Sequence, residues 1–303
     1  MRGRRVRMKK VLGTLVVVGV AALSHAGVGT NGAVTLLQAI GGRASGMGEA
    51  YAAAGAGDVF GIHYNPAVSV ADKQLGALYQ RGIADDNFGG VAFAMPIAAG
   101  RVAASVIYYS VGQIEMWTNE ATPRLITKNG LTDIIAALSY AKDLDKLSVG
   151  GNLKIYNSTL VEEFSTMAFM VDVGGGYAVN ENVKLGVAVQ NLGTSVKYGE
   201  TADSLPLVIR AGAAYVKEMG SNKLTAAADV AKFGDDSTIK ILVGGEYLIN
   251  NMLAVRAGYK VGFDTESFTV GAGFMQQKFC VDYAFVPFGD LGTSHRLSFG
   301  LKL

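Results

Sequence analysis

The stretch Leu147-Ser148-Val149-Gly150-Gly151-Asn152-Leu153-Lys154-Ile155-Tyr156 decides the fold. Leu147, Val149, Gly151, Leu153 and Ile155 put apolar or small groups on one face, while Ser148, Asn152 and Lys154 take the other. Side chains that alternate with period two belong to a strand with one greasy and one polar face. The same pattern returns where Val183, Leu185, Val187 and Val189 oppose Lys184 and Gln190, and where Leu253, Val255, Ala257 and Tyr259 oppose Arg256 and Lys260. At the C-terminus Leu297, Phe299, Leu301 and Leu303 oppose Arg296, Ser298 and Lys302.

Working outward gives fourteen such segments, at 73–81, 87–97, 100–111, 131–141, 146–157, 165–179, 183–192, 205–217, 223–232, 238–249, 252–260, 267–275, 279–287 and 294–303. Tight links (98–99, 142–145, 180–182, 250–251, 276–278) alternate with longer ones, of which 112–130 and 193–204 are the longest. An even number of strands with short turns at one end and longer loops at the other predicts an all-β fold, a transmembrane antiparallel β-barrel of the outer membrane. Both termini then fall on the short-turn side. A soluble sandwich or propeller uses the same alternation but hides its apolar face in a core. Two features favour the barrel. Tyrosines sit near strand ends (Tyr108, Tyr109, Tyr140, Tyr156, Tyr177, Tyr215, Tyr247, Tyr259, Tyr283), as interfacial girdles require, and the final strand runs to the last residue. In lipid no backbone donor goes unpaired, so the sheet must close on itself.

Before the first strand lie two segments of different character. Residues 1–26 read as a signal peptide: Arg2, Arg4, Arg5, Arg7, Lys9 and Lys10 precede the apolar run Val11 to Leu23, and Ser24-His25-Ala26 ends in a small residue, with cleavage before Gly27. That run is too short to span a bilayer as a helix, which takes roughly 20 residues. Residues 27–72 are rich in glycine and alanine and do not alternate. Leu36 to Ile40 suits one helical turn, which Gly41 to Gly48 then breaks. Such a segment hangs in the periplasm or fills the lumen, and a lumen plug is the better reading because glycine lets backbone pack against a wall. Asn65-Pro66 is a turn dipeptide suited to ending the plug before the barrel, 73–303.

Composition narrows the functions. Lys and Arg number 27 against 25 acids, but the leader holds six of the former and none of the latter, so the remainder has 21 against 25, a charge of −4. No general basic field is left to grip nucleic acid. The single cysteine, Cys280, excludes a disulfide framework and reads as a small filler beside Asp282. Gly27-Val28-Gly29-Thr30-Asn31-Gly32 has the letters of a dinucleotide fingerprint but follows a cleavage site rather than a strand. There is no G-x-S-x-G elbow, Walker loop or H-E-x-x-H helix. His63 and His295 are far apart in sequence and read as hydrogen-bonding plug or loop residues, and Asp85-Asp86 and Asp235-Asp236 as solvated loop acids rather than weak cation sites. A non-enzymatic protein without cofactor, metal or catalytic set is expected.

The stretch Gly42-Arg43-Ala44-Ser45-Gly46-Met47-Gly48-Glu49-Ala50-Tyr51, followed by Asp58 and Tyr64-Asn65-Pro66-Ala67, resembles the N-terminal signature of the PorV/PorQ family, within the wider FadL-like barrel group. Asp282-Tyr283-Ala284-Phe285-Val286-Pro287-Phe288-Gly289-Asp290-Leu291-Gly292, with Ser294-His295-Arg296, resembles the same family's last hairpin. Departures are the single Asp58 after Gly57 where the family usually has paired acids, Val68-Ser69 where it commonly has Gly-Leu, and a final Leu303 in place of an aromatic. The resemblance implies a 14-stranded barrel that serves type IX secretion as an accessory, binding secreted cargo proteins and carrying them from translocon subunits to the surface-attachment machinery. The alternative it implies is a FadL-like transporter that passes hydrophobic small molecules through a plugged barrel. Either way the surroundings are outer-membrane lipid. It assigns Gly42, Arg43, Gly46, Met47, Gly48, Asp58, Asn65 and Pro66 to a plug motif. Asp282, Tyr283, Pro287, Phe288, Gly289, Asp290, Gly292, His295 and Arg296 fall to a last-hairpin motif, whose outer loop spans 287–296. The same residues would equally serve only to lock plug and hairpin in place.

Overall fold

The computed structural model describes residues 31–68, 70–82, 86–234, 236 and 238–303. The expected leader lies outside them, as do Ser69, Asp85 and Asp235. Fourteen antiparallel strands close into one barrel: β1 (Gln74–Arg81), β2 (Asn87–Ile97), β3 (Gly100–Trp117), β4 (Leu125–Leu144), β5 (Leu147–Leu160), β6 (Phe164–Ala178), β7 (Val183–Gly193), β8 (Val208–Met219), β9 (Asn222–Phe233), β10 (Lys240–Ile249), β11 (Leu253–Val261), β12 (Phe268–Gln276), β13 (Phe279–Pro287) and β14 (Thr293–Lys302). Each pairs with its sequence neighbours, and β14 returns to β1 with Lys302 opposite Gln74 and His295 opposite Arg81. No edge is left.

The alternation explains which way each strand faces. On β5, Asn152, Lys154, Tyr156 and Ser158 are buried inside, while Leu153 is 65% exposed and Ile155 44%. Val91, Val106, Leu138, Phe169, Val187 and Val255 are likewise exposed on the outside. An apolar belt of that extent far exceeds any patch a soluble monomer leaves in water, so the phase it meets is hydrocarbon. Seven of the nine tyrosines expected in the girdle face outward; Tyr156 and Tyr109 do not, because their parity turns them inward, where Tyr156 is buried and Tyr109 packs against Phe88 at 6.2 Å.

Three features of the chain's path add to or depart from the sequence expectation. The third connection is mostly strand: β3 and β4 stay paired from Gln113–Asn129 out to Trp117–Leu125, leaving only 118–124 as loop. Their neighbours stop earlier, β2 at Asn87–Ser110 and β5 at Leu131–Leu160, so a two-stranded ribbon stands clear of the wall. Because both of its faces are wet, neither is consistently apolar, and the periodicity that marks the wall strands fades there. Between β6 and β7 the register slips at Val171/Val173, a bulge that turns both Gln190 and Asn191 inward. Finally, the barrel itself starts and ends at the turn end as expected, Gln74 lying opposite Lys302, but the segment before it reaches the loop end, where Asn31 bridges Ser204 of loop 194–207. Leu303 does lie at the turn end, its N–H donating to Lys73 O at 2.9 Å.

The helical expectation also shifts. Val34–Leu37 is a 3-10 turn, the chain extends at Gln38, and the glycine-rich stretch itself forms a short helix, α1 (Gly42–Gly46). Gly41, at φ 93°, supplies the backbone turn into it, and the Ser45 hydroxyl donates back to Gly41 O at 2.9 Å.

Candidate functional site

Residues 31–68 touch inward faces right round the cylinder. Thr35 donates to Asp133 of β4, His63 Nε2 lies 3.1 Å from Ser105 Oγ of β3, and Asn152 of β5 donates to Ile62 O at 2.9 Å. Asn65 donates to Gly175 O of β6 at 3.0 Å, Gly48 N to Thr269 Oγ1 of β12 at 3.1 Å, and Gly42 N to Ser298 Oγ of β14 at 3.0 Å. A segment in contact with strands on all sides of a closed barrel lies inside it. Glycines clear the wall for it: a Cβ on Gly258 would sit 2.6 Å from Met47 C, and one on Gly244 2.8 Å from the same atom.

Ion pairs hold the segment. Arg43 of α1 donates Nε and Nη2 to the two Glu246 oxygens, each at 2.8 Å, and Arg256 Nε donates to Glu246 Oε2 at 2.6 Å. Arg256 Nη2 lies 2.8 Å from Asp282 Oδ1, completing a set of two guanidinium and two carboxylate groups of which all but the partly exposed Arg43 are buried. Glu49 pairs with Lys260 and stands 4.0 Å from Arg296, whose Nη1 donates to Ser45 Oγ at 3.0 Å. Burial alone would raise the Glu49 carboxyl, but Lys260 and Arg296 hold it below the usual carboxylate range. Asp229 of β9 accepts from Tyr51 N and Ala52 N at 2.8 Å each, and Arg210 of β8 donates to Glu49 O at 2.6 Å.

All eight residues assigned to the plug motif fall in this segment. Arg43 clamps Glu246; Met47 is fully buried. Asp58 caps the 3-10 turn Val59–His63 through Phe60 N at 2.9 Å and accepts from Tyr51 OH at 2.7 Å. Asn65 Oδ1 accepts from Ala67 N at 3.0 Å, and Pro66 faces Gly150 and Gly174. The last-hairpin residues, by contrast, do not gather. Arg296 and Asp282 lie on strands and point into the lumen, Tyr283 and His295 lie on the outside with OH and Nδ1 2.7 Å apart, and only Pro287, Phe288, Gly289, Asp290 and Gly292 surround the short turn Gly289–Leu291. The outer loop is narrower than 287–296, because β14 begins at Thr293 and parity sends Ser294, Arg296 and Ser298 inward from it. Sequence reasoning missed Glu246, Asp229 and Arg210; their signal was a lone charge at an inward-parity position.

His63 carries a pH consequence. Burial, aided by the nearby Lys154 charge, pushes its imidazole from 6.5 down to about 4, so it is neutral in the fold. The unfolded chain binds the proton first, so stability is full above pH 6.5 and falls as pH drops through about 4. His63→Gln is expected to flatten that part of a melting-temperature profile, measured in detergent.

Two spaces remain. A polar cavity of about 40 Å³ lies under Thr35 to Ile40, beside Glu49, His63, Lys154 and Arg210, room for one or two waters. An apolar groove of about 880 Å³ indents the membrane-facing wall, floored by Ala104 and Ala136 and flanked by Val91, Phe93, Leu153 and Phe169.

Solved barrels share this fold. The Ralstonia pickettii toluene transporter TbuX is 12% identical with a TM-score of 0.60, over 88% of this chain and 99% of that one. A TodX monoaromatic hydrocarbon channel mutant is 13% identical with a TM-score of 0.63, over 88% and 100%. No curated protein matches the sequence. Residues 23–235, more than half of the chain, match the family described as type IX secretion system protein PorV. Its closed fourteen-strand wall and its sequence together place this protein in the outer membrane and show that it belongs to the PorV family.

Proposed function

We propose that this barrel is a non-enzymatic accessory of protein secretion that holds exported cargo through its outer loops, with residues 27–72 as a plug that keeps the bore shut. The observation that carries the reading is the β3–β4 ribbon: beyond Ser110 β3 stays paired with β4 but no described strand lies along its other edge, and Trp117 and Leu125 at the ribbon's end are 67% and 49% exposed. A free sheet edge bearing exposed apolar side chains suits capture of an extended segment of another protein. The pinned lumen, with its small polar cavity, supports a barrel that works from its rim rather than through its bore. Replacing 112–130 with a tight turn tests this. The barrel is expected to keep its heat-modifiable migration, while exported proteins and translocon subunits that co-purify with the intact chain in detergent are lost; their retention would sink the ribbon's role.

The wall groove favours a second reading, transport of hydrophobic small molecules, as the shared fold with toluene transporters also permits. Its test is uptake of labelled toluene by cells with and without the protein. No difference removes it.

A further inference from the structure

The path of the chain through the bore has a direction. At the loop end, Gly32 N donates to Ser204 O at 3.0 Å, Ser204 Oγ donates to Asn31 Oδ1 at 3.1 Å, and Asn31 bridges Ser204 in parallel, beside the Val196–Asp203 bridge of the same loop. Val34 follows, 63% exposed. The chain then descends through α1 and the Glu246 clamp. At the turn end Ala56 is exposed beside Asp145 and Lys146 of the β4–β5 turn, Gln74 Nε2 donates to Gly57 O at 3.3 Å, and Asp72 meets Lys302 at 3.2 Å. Gly32 is fitted to its place: a Cβ there would overlap the Val196 side chain and stand 3.1 Å from Asp203 Cβ.

From these contacts we infer that the segment threads the barrel from outside to inside, so that Asn31 to Val34 belong to the cell-surface face and are latched there to loop 194–207. One strand-like contact then ties the segment to a loop on the proposed cargo face. Whatever engages the exposed Ser204 acts on the outer end of the segment directly. The inference rests on the outward orientation of the loops but not on the identity of any cargo.

Single cysteines in a C280A background test it with a membrane-impermeant maleimide on intact cells. Thr122→Cys, at the ribbon tip, reports the orientation of the loops. Val34→Cys is expected to label alongside it, and Ala56→Cys only after the outer membrane is permeabilised. If T122C labels and V34C does not, the threading is wrong while the barrel's orientation stands. If A56C alone labels on intact cells, orientation and threading fall together. Adding Gly32→Val to V34C breaks the latch, and loss of about one backbone hydrogen bond is expected to quicken V34C labelling by roughly 2- to 10-fold. An unchanged rate would remove the latch from the account.

Discussion

Glu246→Ala is expected to cost the folded barrel about 3–5 kcal/mol, because it removes the carboxylate that lies between the buried Arg256 and the largely buried Arg43 guanidinium groups and leaves their like charges facing each other. Arg43, Arg256, Glu246 and Asp282 carry two charges of each sign, and Glu246 is the member that joins segment to wall. Without it Arg43 has no described ion partner, and Arg256 keeps only Asp282. Loss of the heat-modifiable band at a lower temperature, with earlier proteolysis in residues 31–68, is the measurement. The same arithmetic predicts a rescue. Arg43→Leu together with Glu246→Leu removes one charge of each sign and leaves the Arg256–Asp282 pair intact, so the double variant is expected to regain most of the loss despite being further from the natural sequence. Should E246A melt within about 1 kcal/mol of the natural protein, the range of an exposed pair, the clamp would be contributing no more than a surface ion pair. Should the double variant fall further still, the geometry of the pair rather than its charge balance would be what the fold needs.

All fourteen wall strands were legible because lipid on one side and packed polar groups on the other force every residue to declare its face. β2 and β13 begin and end where the alternation does, at 87–97 and 279–287. The pattern fails wherever that asymmetry ends. Beyond Ser110 on β3 and before Leu131 on β4, water lies on both sides, and nineteen residues read as loop are largely a ribbon. At Asn191, with φ 63°, one extra residue turns two successive side chains inward, and no binary pattern marks that in advance. The inner segment was legible through its motif letters and not through its path. Nothing in Gly42 to Tyr51 says which end of the bore the chain enters, since that is fixed by contacts between residues 31–32 and 204 that are distant in sequence. The lumen charges were visible singly, as Lys154, Arg256, Lys260 and Arg296 on polar faces. Their pairing was not, because it depends on strand register and on where Arg43 and Glu49 arrive.

Gly258→Val is expected to open the bore while leaving the wall whole. Gly258 lies opposite Gly244 in the β10–β11 ladder and faces the lumen, where a Cβ would come within 2.5 Å of Gly48 Cα and 2.6 Å of Met47 C. Those neighbours are backbone, which has nowhere to turn, so the overlap is relieved only by lifting the segment. Valine suits a strand better than glycine, so β11 itself is not weakened. Overpacking of this kind costs about 1–3 kcal/mol, which moves the ratio of seated to unseated segment by roughly 5- to 150-fold. Reconstituted in a planar bilayer, the natural protein is expected to stay closed and G258V to show discrete openings, with heat-modifiable migration preserved in both. The neighbouring position separates this from a general defect. Gly245 sits one residue from Gly244 on the same ladder, opposite Ala257, and faces outward, where a Cβ meets nothing closer than Thr225 O at 3.9 Å. Gly245→Val adds the same side chain to the same stretch of wall and is expected to stay closed. Openings in both variants would place the fault in the wall, and openings in neither would mean that the segment yields locally around Met47 and Gly48 without leaving its seat.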